Sequence, residues 1–232
     1  MASRGVPQTP LHHSPKRISF GAMLTNRRTI TLAVTGASGS VFARQMLCAL
    51  ESDPSVGHIN LVVSNAGLRV VAEELGVTGR TGLVRHLLGS EPVKTQLQDN
   101  EDTGANIASG SYPTDAMVVL PCSMGTLAKV ANGFSDLLVE RAADVCLKEH
   151  IPLLLCVRET PFNRVHLRNM SLAAEAGATI YPLMPVLYNH PATVDDMINH
   201  YVNRVLQHIG LAQQGAYVWK PNKTPTSTPD ER

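Results

Sequence analysis

The sequence lacks a clear excess of charge of either sign, and it lacks long hydrophobic runs. Its 232 residues include 20 Lys and Arg against 19 Asp and Glu, a formal net charge of +1 at pH 7. Such a balance gives no electrostatic basis for binding nucleic acid. No apolar run approaches the roughly 20 residues that a membrane-spanning helix requires. We therefore expect a soluble globular protein that buries one core and binds a small molecule.

The chain also lacks the motifs that hold metals. Its four cysteines show no CxxC spacing and its nine histidines form no HExxH, so no metal site is expected. The cysteines stand in apolar contexts, which favours reduced, buried thiols of a cytosolic-type compartment over disulfides or zinc ligands. They are Cys48, Cys122, Cys146 and Cys156.

Acidic residues are missing from residues 1–28, where five Arg or Lys stand among Pro, Ser and Thr. We predict a disordered basic extension there. The alternatives are a true start at Met23, or a transit peptide that would make the protein mitochondrial rather than cytoplasmic. Residues 212–232 form a C-terminal tail, and the polar, Pro-rich part after Trp219 predicts that it is unstructured.

Residues 29–211 alternate apolar runs with helical periodicity and show neither a repeat nor a linker. This alternation is typical of a parallel sheet covered by helices on both faces. We predict a single-domain, three-layer α/β fold with a flavodoxin- or Rossmann-like parallel sheet. The predicted strands are 30–34, 59–63, 116–120, 153–157 and 179–181, and the predicted helices are 41–50, 66–75, 81–88, 127–131, 137–150, 164–176 and 194–208.

The segment ITLAVTGASGS at residues 30–40 predicts a strand followed by a short, Gly-rich turn and the start of a helix. The first N–H groups of a helix lack internal partners and attract anions, and glycine lets the backbone approach one closely. The segment has neither a full GxGxxG nor a Walker lysine, so an ordinary strand-to-helix turn is the alternative. Polar residues after the other strands favour an anionic ligand, because strands of a parallel sheet end at one edge. They are Ser64 and Asn65, residues 121–126, and Arg158, Glu159 and Thr160.

Residues 137–150 place Arg141 and Lys148 on one face of a predicted helix. Two cations there bracket a phosphate in one interpretation. In the other, which helical spacing favours, the face is solvated and Glu140, Asp144 and Glu149 pair with these cations. Arg158 is suited to bind a phosphate or a flavin carbonyl, and Glu159 to move a proton.

Six motifs together resemble those of UbiX-type flavin prenyltransferases: TGASG, PCSMGTL, RAADVCLKE, VRETP, HLRNM and YNHP. The resemblance covers roughly residues 29–211. It implies a flavodoxin-like homododecamer with its site between subunits. The implied reaction joins the dimethylallyl group of dimethylallyl monophosphate to N5 of reduced FMN, then closes a ring through C6, without a metal. The product, prenylated FMN, would serve a UbiD-type decarboxylase as recipient.

The resemblance also implies roles for particular residues. Glu159 matches the acid/base residue that passes a proton between the leaving phosphate and the N5 region, and Glu74 matches a second acidic residue near the flavin. The implied flavin-binding residues are Gly36, Ala37, Ser38, Ser64, Ser123, Met124, Gly125, Thr126 and Arg158. Those implied to bind the donor's phosphate are Ser38, Lys148, Arg158, Tyr188 and Arg204, with Lys148 also catalytic because cations must replace magnesium.

The chain departs from the family pattern before residues 108–111, where related bacterial members place an aromatic residue against the prenyl group. Asp102, Thr103 and Gly104 stand there instead, so the apolar tail is expected to be enclosed differently. Two alternative functions are an FMN-dependent cysteine decarboxylase and a flavin-binding module without turnover. The PxMNxxMW segment of the decarboxylases is absent, and PVLYNHP occupies the corresponding region.

Overall fold

A computed structural model describes residues 27–211 of the protein. The predicted tail at 212–232 and all but the last two residues of the predicted extension lie outside these residues. The first strand already begins at Arg28, the last residue assigned to that extension. Arg28 Nη1 donates a hydrogen bond of 2.5 Å to the Ile209 carbonyl, and its Nε lies 4.0 Å from Asp115. Arg28 therefore belongs to the folded domain.

Six parallel strands form one sheet, and the strand order is β3-β2-β1-β4-β5-β6. The strands are β1 Arg28–Val34, β2 Val56–Val63, β3 Thr95–Gln98, β4 Ala116–Cys122, β5 Leu153–Val157 and β6 Thr179–Ile180. The order reverses between β1 and β4, which pair from Ile30 with Ala116 to Ala33 with Val119. A reversal of this kind opens a crevice at the carboxyl ends of the two strands, where α/β proteins bind ligands.

Helices cover both faces of the sheet. They are α1 Ser40–Ser52, α2 Asn65–Leu75, α3 Leu83–Leu88, α4 Met124–Ala131, α5 Leu138–Lys148, α6 Arg164–Glu175 and α7 Val194–His208. Alternate residues of β1 enter two separate cores, with Leu32 packing beside α1 and α7, and Ala33 beside α4 and α5. This two-residue alternation is how one buried strand serves two layers. The predicted three-layer α/β fold is confirmed.

Two local predictions differ from the structure. The strand β3 was not predicted, because its sequence TQLQ carries no apolar run; it pairs with β2 through its backbone. The helix α4 begins at Met124, ahead of the predicted residue 127, because the Ser123 hydroxyl accepts a hydrogen bond from Thr126 N at 3.3 Å.

All four cysteines are free, and Cys122, Cys146 and Cys156 are buried, as predicted. Cys48 differs from the prediction, because it is only partly buried. Burial raises the pKa of the Cys146 and Cys156 thiols to about 12, so they stay protonated near neutral pH. Within residues 27–211, no helix is long and apolar enough to cross a membrane. The same residues contain no cluster of three or more His, Cys, Asp or Glu that could hold a metal ion.

Candidate active site

The carboxyl ends of β1 and β4 are joined by one buried side chain, Thr35. Its hydroxyl donates to the Pro121 carbonyl at 2.9 Å and accepts from Ser123 N at 2.8 Å. The Thr35 backbone N–H also donates to Pro121 at 3.2 Å. These hydrogen bonds fix the two strand ends at the point where the sheet order reverses, so the loops that follow keep a constant separation.

The helices α1, α2 and α4 begin around this point, and their N-cap residues are small: Gly39, Ser64 and Ser123. Ser64 caps α2, since its hydroxyl accepts from Gly67 N at 3.0 Å, and Ser123 caps α4 in the same way. Gly36 approaches α2 so closely that a β-carbon at this position would lie 2.5 Å from the Ala66 Cβ. The loop therefore requires glycine here for close packing rather than for an unusual backbone angle.

Between these helix starts lies a cavity of about 270 Å³, which we call the strand-end cavity. Of the residues predicted to bind flavin it collects Gly36, Ser64, Ser123, Gly125 and Thr126. Ala37, Ser38, Met124 and Arg158 are not among its lining residues. Asn65, which was expected at the strand ends, also lines the cavity. The lining is completed by five residues that the sequence did not single out as ligands: Ala66, Asn100, Lys129, Leu137 and Glu140.

The N-terminus of α1 is occupied by the protein's own carboxylate. Glu74 accepts hydrogen bonds from Gly39 N at 3.1 Å and from Ser40 N at 2.7 Å. Partial burial acts to raise the pKa of Glu74, but hydrogen bonds from Ser38, Ser40 and Gly39 outweigh it and hold the pKa below its ordinary value. The turn attracts an anion, as its sequence predicted, but in this structure the anion is Glu74.

A second cavity of about 180 Å³, here called the Tyr188 cavity, brings together Tyr188 and Arg204. Both were predicted to bind the donor's phosphate, although they are distant in sequence. Its other lining residues are Tyr181, Pro182, Met184, Val186, His200 and Tyr201. Burial raises the pKa of Tyr181 against the opposing effect of Arg204, and burial together with Arg204 lowers the pKa of His200. The cavity thus combines one permanent cation with an apolar wall.

The glycine-rich turn separates the two cavities. Gly36 lines the strand-end cavity, whereas Gly39, at φ +119°, faces the segment that lines the Tyr188 cavity. A β-carbon at position 39 would lie 2.7 Å from Leu183 Cδ2. The exposed Ser38 stands between these two glycines. The turn therefore lies between the strand-end cavity and the chain segment that lines the Tyr188 cavity.

Arg158 and Glu159 follow β5 at the same edge of the sheet, and both are exposed. Arg158 N donates to the Cys122 carbonyl at 3.1 Å, which ties this loop to the end of β4. Glu159 accepts a hydrogen bond of 2.9 Å from the neighbouring Thr160 N. The side chains of both residues are therefore exposed at the strand ends, and their binding and proton-transfer roles stay predictions.

Lys148 lies elsewhere in the chain's own fold. It ends α5 just before β5 begins, so the whole length of β5 separates it from Arg158. Five extended residues span roughly 16 Å. Lys148 Nζ lies 3.2 Å from Glu149, and Arg141 Nη1 lies 3.0 Å from Asp144. This favours the interpretation of a solvated, ion-paired face, and the expected phosphate clamp is not assembled within one copy of the chain.

Glu140 departs from the predicted pairing with the cations of α5. Its carboxylate lies 3.5 Å from Lys129 Nζ, on the preceding helix. The sequence did not predict that either residue belongs to the site. A helical pattern predicts which face of α5 carries Glu140, but it does not predict which residue of another helix packs against that face. The buried Asn100 was missed for a related reason, since it follows the unpredicted strand β3.

A parallel sheet with a cavity at its order reversal defines an α/β protein of the mononucleotide-binding class. The chain matches the family described as Flavoprotein over residues 19–208. It is 41% identical over 184 residues to the flavin prenyltransferase UbiX of Salmonella typhimurium, which covers 79% of this chain and 93% of the relative. It is 38% identical over 182 residues to the UbiX of Methanocaldococcus jannaschii, covering 78% and 93%. The chain belongs to the UbiX flavin prenyltransferases within the flavoprotein family.

Solved structures agree with this assignment. AnUbiX in complex with FMN and dimethylallyl pyrophosphate is 36% identical, with a TM-score of 0.75, covering 85% of this chain and 100% of that one. A dodecameric FMN-dependent UbiX-like decarboxylase from Escherichia coli O157:H7 is 39% identical, with a TM-score of 0.74, covering 83% and 100%. The cysteine decarboxylase TvaF, at 20% identity and a TM-score of 0.52, shares the fold alone.

Proposed function

We propose that the protein is a flavin prenyltransferase that transfers the dimethylallyl group of dimethylallyl monophosphate to reduced FMN. The observation that carries this proposal is the pair of cavities on either side of one glycine-rich turn. One suits a mononucleotide, and the other suits a small apolar phosphate ester. A flavin-binding module without turnover would have no need of the second cavity.

The strand-end cavity is the site proposed for FMN. Gly36 brings the backbone of the turn to the wall of this cavity, and Ser64 and Ser123 place hydroxyls at two helix starts. Reduced FMN supplies the electron-rich N5 that receives the prenyl group, before the ring closes through C6. The chain's role here is to hold the flavin so that its reactive edge faces the turn.

The Tyr188 cavity is the site proposed for the donor. Arg204 and Tyr188 would hold the phosphate, while Pro182, Met184 and Val186 would pack against the five-carbon chain. A guanidinium beside the bridging oxygen stabilises the charge that develops as the carbon–oxygen bond breaks, so no metal is required in the proposal.

We place the residue that transfers a proton, and the cation beside it, in the loop that follows β5. Glu159 is assigned the transfer of a proton between the leaving phosphate and the N5 region, and Arg158 the contact with flavin and phosphate. Ser38 is placed beside the donor's phosphate, and Glu74 acts through it, because Glu74 accepts a hydrogen bond from Ser38. Glu74 is thereby proposed to orient the turn.

We further propose that the protein works as a homododecamer, in which Lys148 of a neighbouring copy completes the phosphate clamp. The dodecameric relative supports this assembly, as does the distance of Lys148 from its own strand ends. The product would pass to a UbiD-type decarboxylase. A cytoplasmic location is proposed, with a mitochondrial one as the alternative.

The direct test is to incubate the protein anaerobically with reduced FMN and dimethylallyl monophosphate, without metal, and to record a mass spectrum of the flavin. We expect FMN enlarged by one dimethylallyl group, and Glu159→Gln is expected to slow its formation at least about 100-fold. The exposed Glu91, which pairs with Arg85 and lines neither cavity, is the matched control when substituted by Gln. An unchanged flavin mass with the parent protein contradicts the proposal, and the same assay with dimethylallyl diphosphate tests the donor preference.

A further inference from the structure

Glu140 is a buried carboxylate that the proposed reaction does not use. It stands in the first turn of α5 and lines the strand-end cavity, and only 7% of its side chain is exposed. Its Oε1 lies 3.5 Å from Lys129 Nζ. Its Oε2 is buried and has no hydrogen-bond partner among residues 27–211. A charged oxygen is thus withheld from water on the wall of a ligand cavity.

The fold itself does not account for this oxygen. Glu140 does not cap its own helix, because the first N–H groups of α5 are taken by Asn100. Leu138 N donates to the Asn100 carbonyl at 2.8 Å, and Val139 N donates to Asn100 Oδ1 at 3.1 Å. Lys129 does not saturate the carboxylate either, since its ammonium group is shared with Asp136 at 3.9 Å. Leaving a buried acceptor unsatisfied is costly, so native proteins seldom retain one without a role.

Asn100 presents a complementary group to the same cavity. It is almost fully buried and lines the cavity beside Glu140. Because its Oδ1 is turned towards Val139, the amide Nδ2 is the group that it can offer to a ligand. The wall formed by Asn100 and Glu140 therefore offers one donor and one acceptor.

We infer that Glu140 Oε2 accepts a hydrogen bond from an uncharged N–H or O–H group of FMN, and that the phosphate lies away from Glu140. This inference rests on the proposed function, which takes FMN as the ligand. A phosphate beside a buried carboxylate would be repelled in a medium of low dielectric constant. The groups of FMN that can donate are the imide N–H of the ring and the ribityl hydroxyls. Glu140 is thus a specificity residue that sets the direction in which FMN enters the cavity.

The test is the affinity of Glu140→Met for FMN and for riboflavin, measured by quenching of flavin fluorescence. Both affinities should fall by the same factor, roughly 10-fold to 100-fold, since the lost hydrogen bond is to a charged group and does not involve the phosphate. Glu140→Gln, which keeps a side-chain oxygen, should recover part of the loss. Asp136→Asn is the matched control, because it removes the other partner of Lys129 outside the cavity, and its affinities should stay within about twofold of the parent.

Two results overturn the inference. One is an unchanged FMN affinity in Glu140→Met. The other is tighter FMN binding with unchanged riboflavin binding, which would place the phosphate beside the carboxylate. Circular dichroism establishes that each variant is folded.

If Glu140→Met does not fold, two analogues are tested on the parent protein: N3-methyl FMN and an FMN without ribityl hydroxyls. At least one should lose about 10-fold in affinity, and unchanged binding of both overturns the inference. If the parent protein transfers the prenyl group but its Glu140 variants bind flavin as tightly as the parent does, only this inference is contradicted. Flavin binding without prenyl transfer contradicts the proposed function alone.

Discussion

The strand-end cavity and the Tyr188 cavity lie on either side of one turn, but they are built differently. The first is lined by helix caps that are held by hydrogen bonds, by the closely packed Gly36, and by the buried Asn100 and Glu140. The second is lined by exposed side chains such as Met184 at 58% and Tyr188 at 49%. Apolar side chains that remain this exposed are typical of surfaces that another molecule covers.

This difference in construction means that FMN binding and prenyl transfer should depend on different parts of the molecule. A single copy of the chain carries the whole lining of the strand-end cavity that we propose for FMN. The Tyr188 cavity contains Arg204 and Tyr188. Lys148 of the same copy, however, lies near the amino end of β5, at the other end of the strands. Flavin binding should therefore depend on residues within one copy, whereas prenyl transfer should also depend on assembly.

Arg204→Gln is expected to give the largest effect and to separate the two cavities. Removing the cation beside the donor's phosphate should lower kcat/KM for dimethylallyl monophosphate by about 100-fold or more. FMN affinity should stay within about twofold, since Arg204 does not line the strand-end cavity. Steady-state assays and FMN titrations measure the two quantities. An equal loss in both would mean that the two cavities are one site.

Gly36→Ala tests how closely the strand-end cavity is packed. The new β-carbon would lie 2.5 Å from the Ala66 Cβ, so the turn must move, at a cost of about 1–3 kcal/mol in unfolding free energy. FMN binding should weaken as well. Gly125→Ala is the control, because it lines the same cavity and its nearest neighbour would be Ser123 Oγ at 3.9 Å. Urea denaturation of both variants measures the difference, and equal stability would contradict the close packing.

Glu74→Ala should show a pH-dependent loss of stability. Glu74 has a lowered pKa in the folded protein, so it stabilises the fold above its ordinary pKa of 4.5, and this contribution is lost as the pH falls through the folded value. Removing a carboxylate that accepts from helix-start N–H groups costs about 1 kcal/mol at pH 7. The difference in Tm between parent and variant should therefore shrink in acid. A difference that stays constant from pH 7 to pH 3 would contradict the capping role.

Lys148→Met is expected to change the stability least. Its ion pair with Glu149 involves two side chains that are nearly half exposed, and such pairs contribute about 0–1 kcal/mol. Thermal unfolding should be nearly unchanged, while prenyl transfer should be strongly reduced. Normal prenyl transfer by the variant would contradict a catalytic role for Lys148 and leave it only as an ion-paired residue on the solvated face of α5.

The sequence was sufficient for the layers of the fold and for the residues that follow each long strand. Strongly apolar strands and small residues after them are local signals, so Ser64, Ser123 and Arg158 were placed at one edge correctly. The strand β3, Asn100 and the pairing of Glu140 with Lys129 depend on contacts between distant segments. The position of Lys148 near the amino end of β5 could not be predicted, because it depends on the direction in which α5 runs along the sheet.

The most direct test of this account is complementation between inactive variants. Lys148→Met and Glu159→Gln are purified, unfolded and refolded together, and prenylated FMN is measured by mass spectrometry. If Lys148 acts in the site of a neighbouring copy, mixed assemblies contain some intact sites, and activity should return well above that of either variant refolded alone. Activity that stays at the level of the separate variants would contradict a site shared between copies.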